Sequence, residues 1–220
     1  MDQLGPAKKP IRGAKGYPRR PELSRARILD AAVSEFAEQG FAGARVDAIA
    51  ARAEINKRMI YHYFHSKDGL FQAALEKVYT DIWAAESELH LEDMPPRDAL
   101  AALVTFVWNY YRAHPEFITL LNTENRLKAV HFKNSKVIRD GASGSKSLVD
   151  DVLARGVATG EFRPGIDPVH LSLTITSLCY YYLTNHATSA VVYGRKLTTR
   201  AALDERLAFN IEAVLSIVSA

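Results

Sequence analysis

The sequence predicts an all-α protein, and three observations carry that prediction. Apolar residues recur at intervals of three and four through nearly every segment, no strand-like alternation persists, and Pro, Gly and small polar residues punctuate the periodic runs. Counting those runs gives about nine helices in 220 residues, enough chain for one or two domains with a real core. No internal repeat is present.

Composition narrows the class. Apolar content of 48% and charged content of 24% are ordinary for a globular protein. A single cysteine, Cys179, excludes an internal disulfide framework and suits a reducing cytoplasm. No window reaches the roughly 18 apolar residues that a membrane span needs, and the N-terminus carries no apolar signal core. A cytoplasmic protein without membrane contact is expected. The formal net charge of +3 hides an asymmetry: residues 1–70 hold 13 Lys and Arg against 8 Asp and Glu, the remainder 15 against 17. Positive charge gathered at one end is the electrostatic footprint of a phosphate-binding surface.

Taken in order, residues 1–22 carry Pro6, Pro10, Gly13, Pro18 and Pro21 among Lys8, Lys9, Arg12, Lys15, Arg19 and Arg20. They read as a disordered basic arm, either a passive tail or a strap along the DNA backbone or minor groove. From Ser24 a helical stripe begins (Ile28, Ala31, Ala32, Phe36, Ala37), and Gly40 ends it where a left-handed residue is needed. Phe41 is expected to tuck back against this helix.

Residues 45–67, RVDAIAARAEINKRMIYHYFHSK, organise the rest. Val46, Ile49, Ala50 and Ala53 mark a short helix, broken at Glu54-Ile55-Asn56, whose Asn56 can cap a second helix. That second helix, Lys57 to about Phe64, sets Ile60 and Phe64 on one side and Lys57, Arg58, Tyr61, His62 and Tyr63 on the other. Two short helices across a tight turn describe a helix-turn-helix, whose second helix enters a DNA major groove. A DNA-binding domain is therefore expected over residues 23–67, and a second domain over 68–220.

Ser66 caps a long helix reaching about Glu88, with Leu70, Phe71, Ala74, Leu75, Val78, Tyr79, Ile82 and Trp83 along one side. After Met94-Pro95-Pro96, Leu100 to His114 forms a helix, and Pro115 opens another through Leu121. Between about His131 and Ser147 the pattern fails around Gly141 and Gly144, so a loop or frayed helix is expected. Leu148 to Thr159 is a helix closed by Gly160; Asp167 caps an apolar helix from Pro168 to about Thr188; Thr199 to Val218 gives the last.

No catalytic constellation emerges. Gly141–Ser147 lacks phosphate-loop spacing, no nucleophile elbow or dinucleotide fingerprint is present, and the seven histidines with one cysteine offer no metal spacing. The chain is expected to be no enzyme, with neither cofactor nor metal. Trp83, Phe106, Tyr110, Phe117 and Tyr182 fall on inward faces together with Glu124, Asn125, Asn185 and His186. They form either a packed core with polar ends or a mostly apolar pocket with convergent polar groups.

The run from Ala26 to about Trp83 resembles the TetR family of bacterial transcription regulators, through ILDAAVSEFAEQGF, VDAIAARA and NKRMIYHYFHSKDGLF. The chain departs from the family pattern at Glu54, where the turn commonly carries Gly, and at Arg45, where Thr or Ser is usual. HPEFITLLNTEN, EFRPGIDPVHL and YYYLTNH look like the second domain of a subgroup in which that domain binds an effector and forms the dimer. The subgroup includes a pyrimidine-responsive regulator similar to residues 70–83.

A homodimer that binds an operator as a repressor is expected. Asn56 caps the reading helix; Arg45, Lys57, Tyr63 and Lys67 meet phosphate, as the resemblance implies for the last two; Arg58, Tyr61 and His62 reach base edges. The two-fold axis is expected between the last two helices, at faces carrying Leu171, Ile175, Leu178, Leu207, Ile211 and Leu215. An unidentified small-molecule effector beside Trp83, Phe106 and Tyr110 would tilt the helix from Ser66 and separate the two recognition helices. The alternatives are an activator or effector-independent regulator, and a helical metabolite-binding protein or enzyme without DNA.

Overall fold

The computed structural model describes residues 21–220, with the side chains of 142–147 outside the description. The basic arm expected over 1–22 thus lies outside the described residues, except Pro21 and Glu22, which open the first helix. The described chain is all-helical apart from its connections, with ten α-helices and one 3-10 turn at Leu91–Asp93; nine of the α-helices have seven or more residues.

The first three helices are α1 (Pro21–Gly43), α2 (Val46–Arg52) and α3 (Lys57–Phe64). Gly40 breaks α1 at φ 67°, a left-handed conformation that costs Gly nothing. The break turns Phe41 back onto Phe36 and Phe71, with ring centroids 6.2 and 5.0 Å apart. Long α4 (Lys67–Ser87) starts on Ser66, whose hydroxyl accepts from the Gly69 N–H at 3.0 Å. Gly69 is obligatory at this corner, because a Cβ there would drive into the Phe64 carbonyl. The core of this head is formed by Ile28, Ala32, Phe36, Ile49, Ile60, Leu70 and Phe71.

The second half comprises α5 (Pro96–Ala113), α6 (Pro115–Arg126), α7 (Val130–Asn134), α8 (Lys136–Ala158), α9 (Pro168–Tyr193) and α10 (Arg200–Val218). Proline at the first turn of α5, α6 and α9 uses a position whose N–H would be unbonded anyway. Ser135, Asp167 and Thr199 cap α8, α9 and α10 through their side chains. α1 packs on both α4 and α6, while α5 packs on α9 and α10.

Two expectations fail here. Of the loop or frayed helix expected over 131–147, the loop is overturned: apart from Ser135 the stretch is helical, as α7 and the first half of α8, with Gly141 inside. A mid-helix Gly costs about 1 kcal/mol against Ala, but a Cβ at Gly141 would collide with the Trp83 ring. Close packing of α8 on α4 overrides the local preference. Leu171 and Ile175 are buried within the protomer, each 2% exposed. Leu178, Leu207, Ile211 and Leu215 of the same expected face are half-buried, and the most outward apolar residues of the last two helices include Leu173, Tyr181, Val191, Val192, Tyr193 and Phe209.

Candidate nucleic-acid interface

α3 is short, so its position depends on what anchors it. Ile60 and Phe64 are buried in the head, and Arg25 lies over the Phe64 ring at 5.4 Å. Asn56 caps the helix as expected, its side chain accepting from the Arg58 N–H at 2.8 Å. With those two points fixed, Arg58, Tyr61 and His62 face solvent. The Arg58 guanidinium has no partner among the described residues. Tyr63 is half-buried, edge-on to His62 at 5.3 Å.

The flanking cations are held differently. Lys57 pairs with Asp47 at 2.8 Å, which raises its pKa chiefly through that hydrogen bond. Lys67 donates to the Ala42 carbonyl at 3.3 Å and lies 5.1 Å over the Phe41 ring, joining α4 to the end of α1. Arg45 is exposed just before α2, its own N–H held by the buried carboxylate of Glu35 at 3.1 Å. Glu54 takes φ 52° in the turn, the left-handed region that favours glycine. Its carboxylate accepts from Arg27 at 2.8 Å, so the strained residue ties the turn to α1.

In the second half the nine candidate ligand residues fall into separate groups. Trp83, Tyr79, Phe117 and Tyr110 form a chain of ring contacts, with centroids 5.5, 5.0 and 6.1 Å apart, and Phe106 joins it 5.6 Å from Tyr110. Burial raises the phenols of Tyr79 and Tyr110 to about 12. Glu124, 1% exposed, accepts from the N–H groups of His131 and Phe132 at 2.8 and 3.1 Å. Its second oxygen is 2.7 Å from His131 Nδ1. Asn125 is exposed on α6. Asn185 spends its amide on Tyr181 and Thr184 of its own helix.

Only Tyr182 and His186 of the nine line a cleft of about 460 Å³ between α5, α6 and α9. Its other walls include Arg112, Ile118, Thr119 and Asn122, none of them among the residues expected from the sequence. A signal was available: Pro115, Ile118, Thr119 and Asn122 recur at i, i+3, i+4 and i+7, one face of α6.

Comparison with known proteins decides the family. Residues 28–74 match the model for bacterial regulatory proteins of the tetR family, and residues 96–214 match that for the tetracyclin repressor-like C-terminal domain. The HTH-type transcriptional repressor NicS of Pseudomonas putida is 38% identical over 194 residues, covering 88% of this chain and 92% of the relative. The chain belongs to the TetR family. It is a helix-turn-helix DNA-binding transcription regulator of that family. The HTH-type transcriptional regulator RutR of Escherichia coli K12 is 30% identical over 159 residues, 70% of this chain and 71% of that one. Among solved structures, a tetR-family regulatory protein of Rhodococcus RHA1 superposes with TM-score 0.69 at 21% identity, over 90% of this chain and 97% of that one. FadR of Bacillus subtilis, in complex with stearoyl-CoA, gives 0.68 at 19% identity over 87% and 97%. Within this TetR fold α2 and α3 are the helix-turn-helix, α4 is the connecting helix, and among the described residues no helix is long and apolar enough to cross a membrane.

Proposed function

We propose that this TetR-family chain is a homodimeric repressor that holds a pseudo-palindromic operator through two copies of α3 and releases it when a small molecule binds within residues 68–220. The DNA-binding unit is residues 23–67. The observation that carries the reading is the two-sided α3: Ile60 and Phe64 locked in the core, Arg58, Tyr61 and His62 presented to solvent. A rigid helix whose guanidinium is unpaired among the described residues can pair with guanine in the major groove through two hydrogen bonds. Arg45, Lys57, Tyr63 and Lys67 surround it for phosphate. Dimerisation is supported by the large apolar residues left exposed on α9 and α10, among them Leu173 at 57% and Phe209 at 56% exposure, on two helices that pack on each other. Repression is supported by the relative NicS, an HTH-type transcriptional repressor.

A gel shift on the DNA upstream of the protein's own gene tests it. Binding that survives competitor DNA, weakens steeply with salt and footprints as two half-sites about one helical turn apart is expected. No retention even at low salt, or a single half-site bound by a monomer, would overturn the reading.

A further inference from the structure

We propose that the α5–α6–α9 cleft binds a small organic monocarboxylate and that this binding releases the operator; the second clause rests on the repressor reading above, the first does not. The cleft, about 460 Å³, falls in the ordinary range for small-molecule sites. Its lining contains no Asp or Glu, and its one full charge is Arg112. Arg112 has no carboxylate partner among the described residues. A guanidinium in the last turn of a helix is favoured by the helix dipole alone, so the opposing walls matter more.

Those walls supply donors. Asn122 accepts the Tyr180 hydroxyl on its Oδ1, which fixes the amide and leaves its NH₂ for a ligand. His186 spends its Nδ1–H on the Leu183 carbonyl at 2.8 Å. The Thr119 and Thr184 hydroxyls are committed to carbonyls of their own helices, at 3.1 and 2.9 Å. Ile118, Leu183, Leu197 and the Tyr182 ring provide the apolar remainder. An exposed guanidinium and an amide on the walls of one cleft, with an apolar remainder, match a carboxylate on a hydrocarbon or aromatic body.

The same residues give the site a route to the head. α6 carries Ile118 and Asn122 on the cleft and packs on α1. Beyond Asn122, Glu124 grips His131, whose ring lies 5.0 Å from Phe71 and 5.9 Å from Phe41. A ligand drawn onto Asn122 and Arg112 biases α6, and through that grip the seat of α4.

Thermal melts of the full-length protein with benzoate, octanoate and neutral benzamide test the site, because a ligand bound only by the native state raises Tm. Benzoate or octanoate at millimolar concentration should raise Tm, benzamide should not, and Arg112→Gln should abolish the shift while its ligand-free Tm and helicity match wild type. Arg112→Lys keeps the charge without the fork and should retain a smaller shift. An unchanged shift in Arg112→Gln, an equal response to benzamide, no response to either carboxylate, or loss of the shift in Trp83→Phe alone would overturn the assignment. Operator release is read separately by gel shift. Carboxylate binding without release removes the regulatory clause, and a wild type that binds no operator refutes the repressor reading, with the melts still deciding the site.

Discussion

Glu124→Ala is the sharpest perturbation the structure offers. Glu124 is 1% exposed, and its two oxygens take the His131 N–H at 2.8 Å, the Phe132 N–H at 3.1 Å and the His131 ring at 2.7 Å. The two N–H groups belong to the first turn of α7, where no intrahelical partner exists. Truncation orphans all three groups and opens a void. Removing one partner of a buried ionisable pair costs roughly 3–5 kcal/mol, and three lost hydrogen bonds at roughly 1–1.5 kcal/mol each give the same range. For a chain of this size about 1 kcal/mol moves Tm by roughly 2–4 °C, so Tm should drop by about 6–20 °C. Circular dichroism melts at fixed protomer concentration measure it, since a dimer's Tm depends on concentration. Glu124→Gln still accepts from both backbone N–H groups and should lose much less. Asn125→Ala, one residue on and exposed, is the control. If Glu124→Ala melts within about 2 °C of that control, the carboxylate does not hold the α6–α7 corner and the coupling route through His131 falls with it.

Other outcomes concern the head and the core. Arg58→Ala should weaken operator binding by about 1–3 kcal/mol and relax preference at one base pair per half-site, whereas Lys67→Ala should weaken all sequences alike; equal loss across every base substitution for Arg58→Ala would remove its base-reading role. Glu54→Gly relieves the φ of 52° at the loss of an exposed pair worth about 0–1 kcal/mol, so its melting point should hold or rise; a clear fall would make the Arg27 tie dominant. Gly69→Ala forces a methyl toward the Phe64 carbonyl, and an overpacked contact of that kind costs roughly 1–3 kcal/mol. Denaturant titration should show it, and wild-type stability would refute the close approach. Burial raises the Cys179 thiol to about 12, so a thiol reagent at mildly alkaline pH should label it only as fast as the protein opens. Immediate labelling of the native protein would contradict the burial.

The readable parts of the chain are those settled by near neighbours in sequence. Asn56, Ser66, Asp167 and Thr199 cap helices through N–H groups two or three residues on, and Gly40 takes the left-handed turn that only a residue without Cβ takes freely. The two sides of α3 follow from a period of 3.6, so Ile60 and Phe64 inside and Arg58, Tyr61 and His62 outside needed no tertiary information. What the sequence left undecided depends on partners far along the chain. Gly141 signals a break locally, yet stays helical because Trp83, 58 residues earlier, occupies the space of its missing side chain. Glu124 signals a polar pocket group, yet α7 folds back and takes both its oxygens. Leu171 and Ile175 read from the sequence as a dimer face, yet they are buried where α5 packs against α9. The aromatic candidates parted the same way: periodicity says which face of its own helix a residue occupies, while only the packing of α5, α6 and α9 determines which faces meet and which leave a cleft beside Arg112 and Asn122.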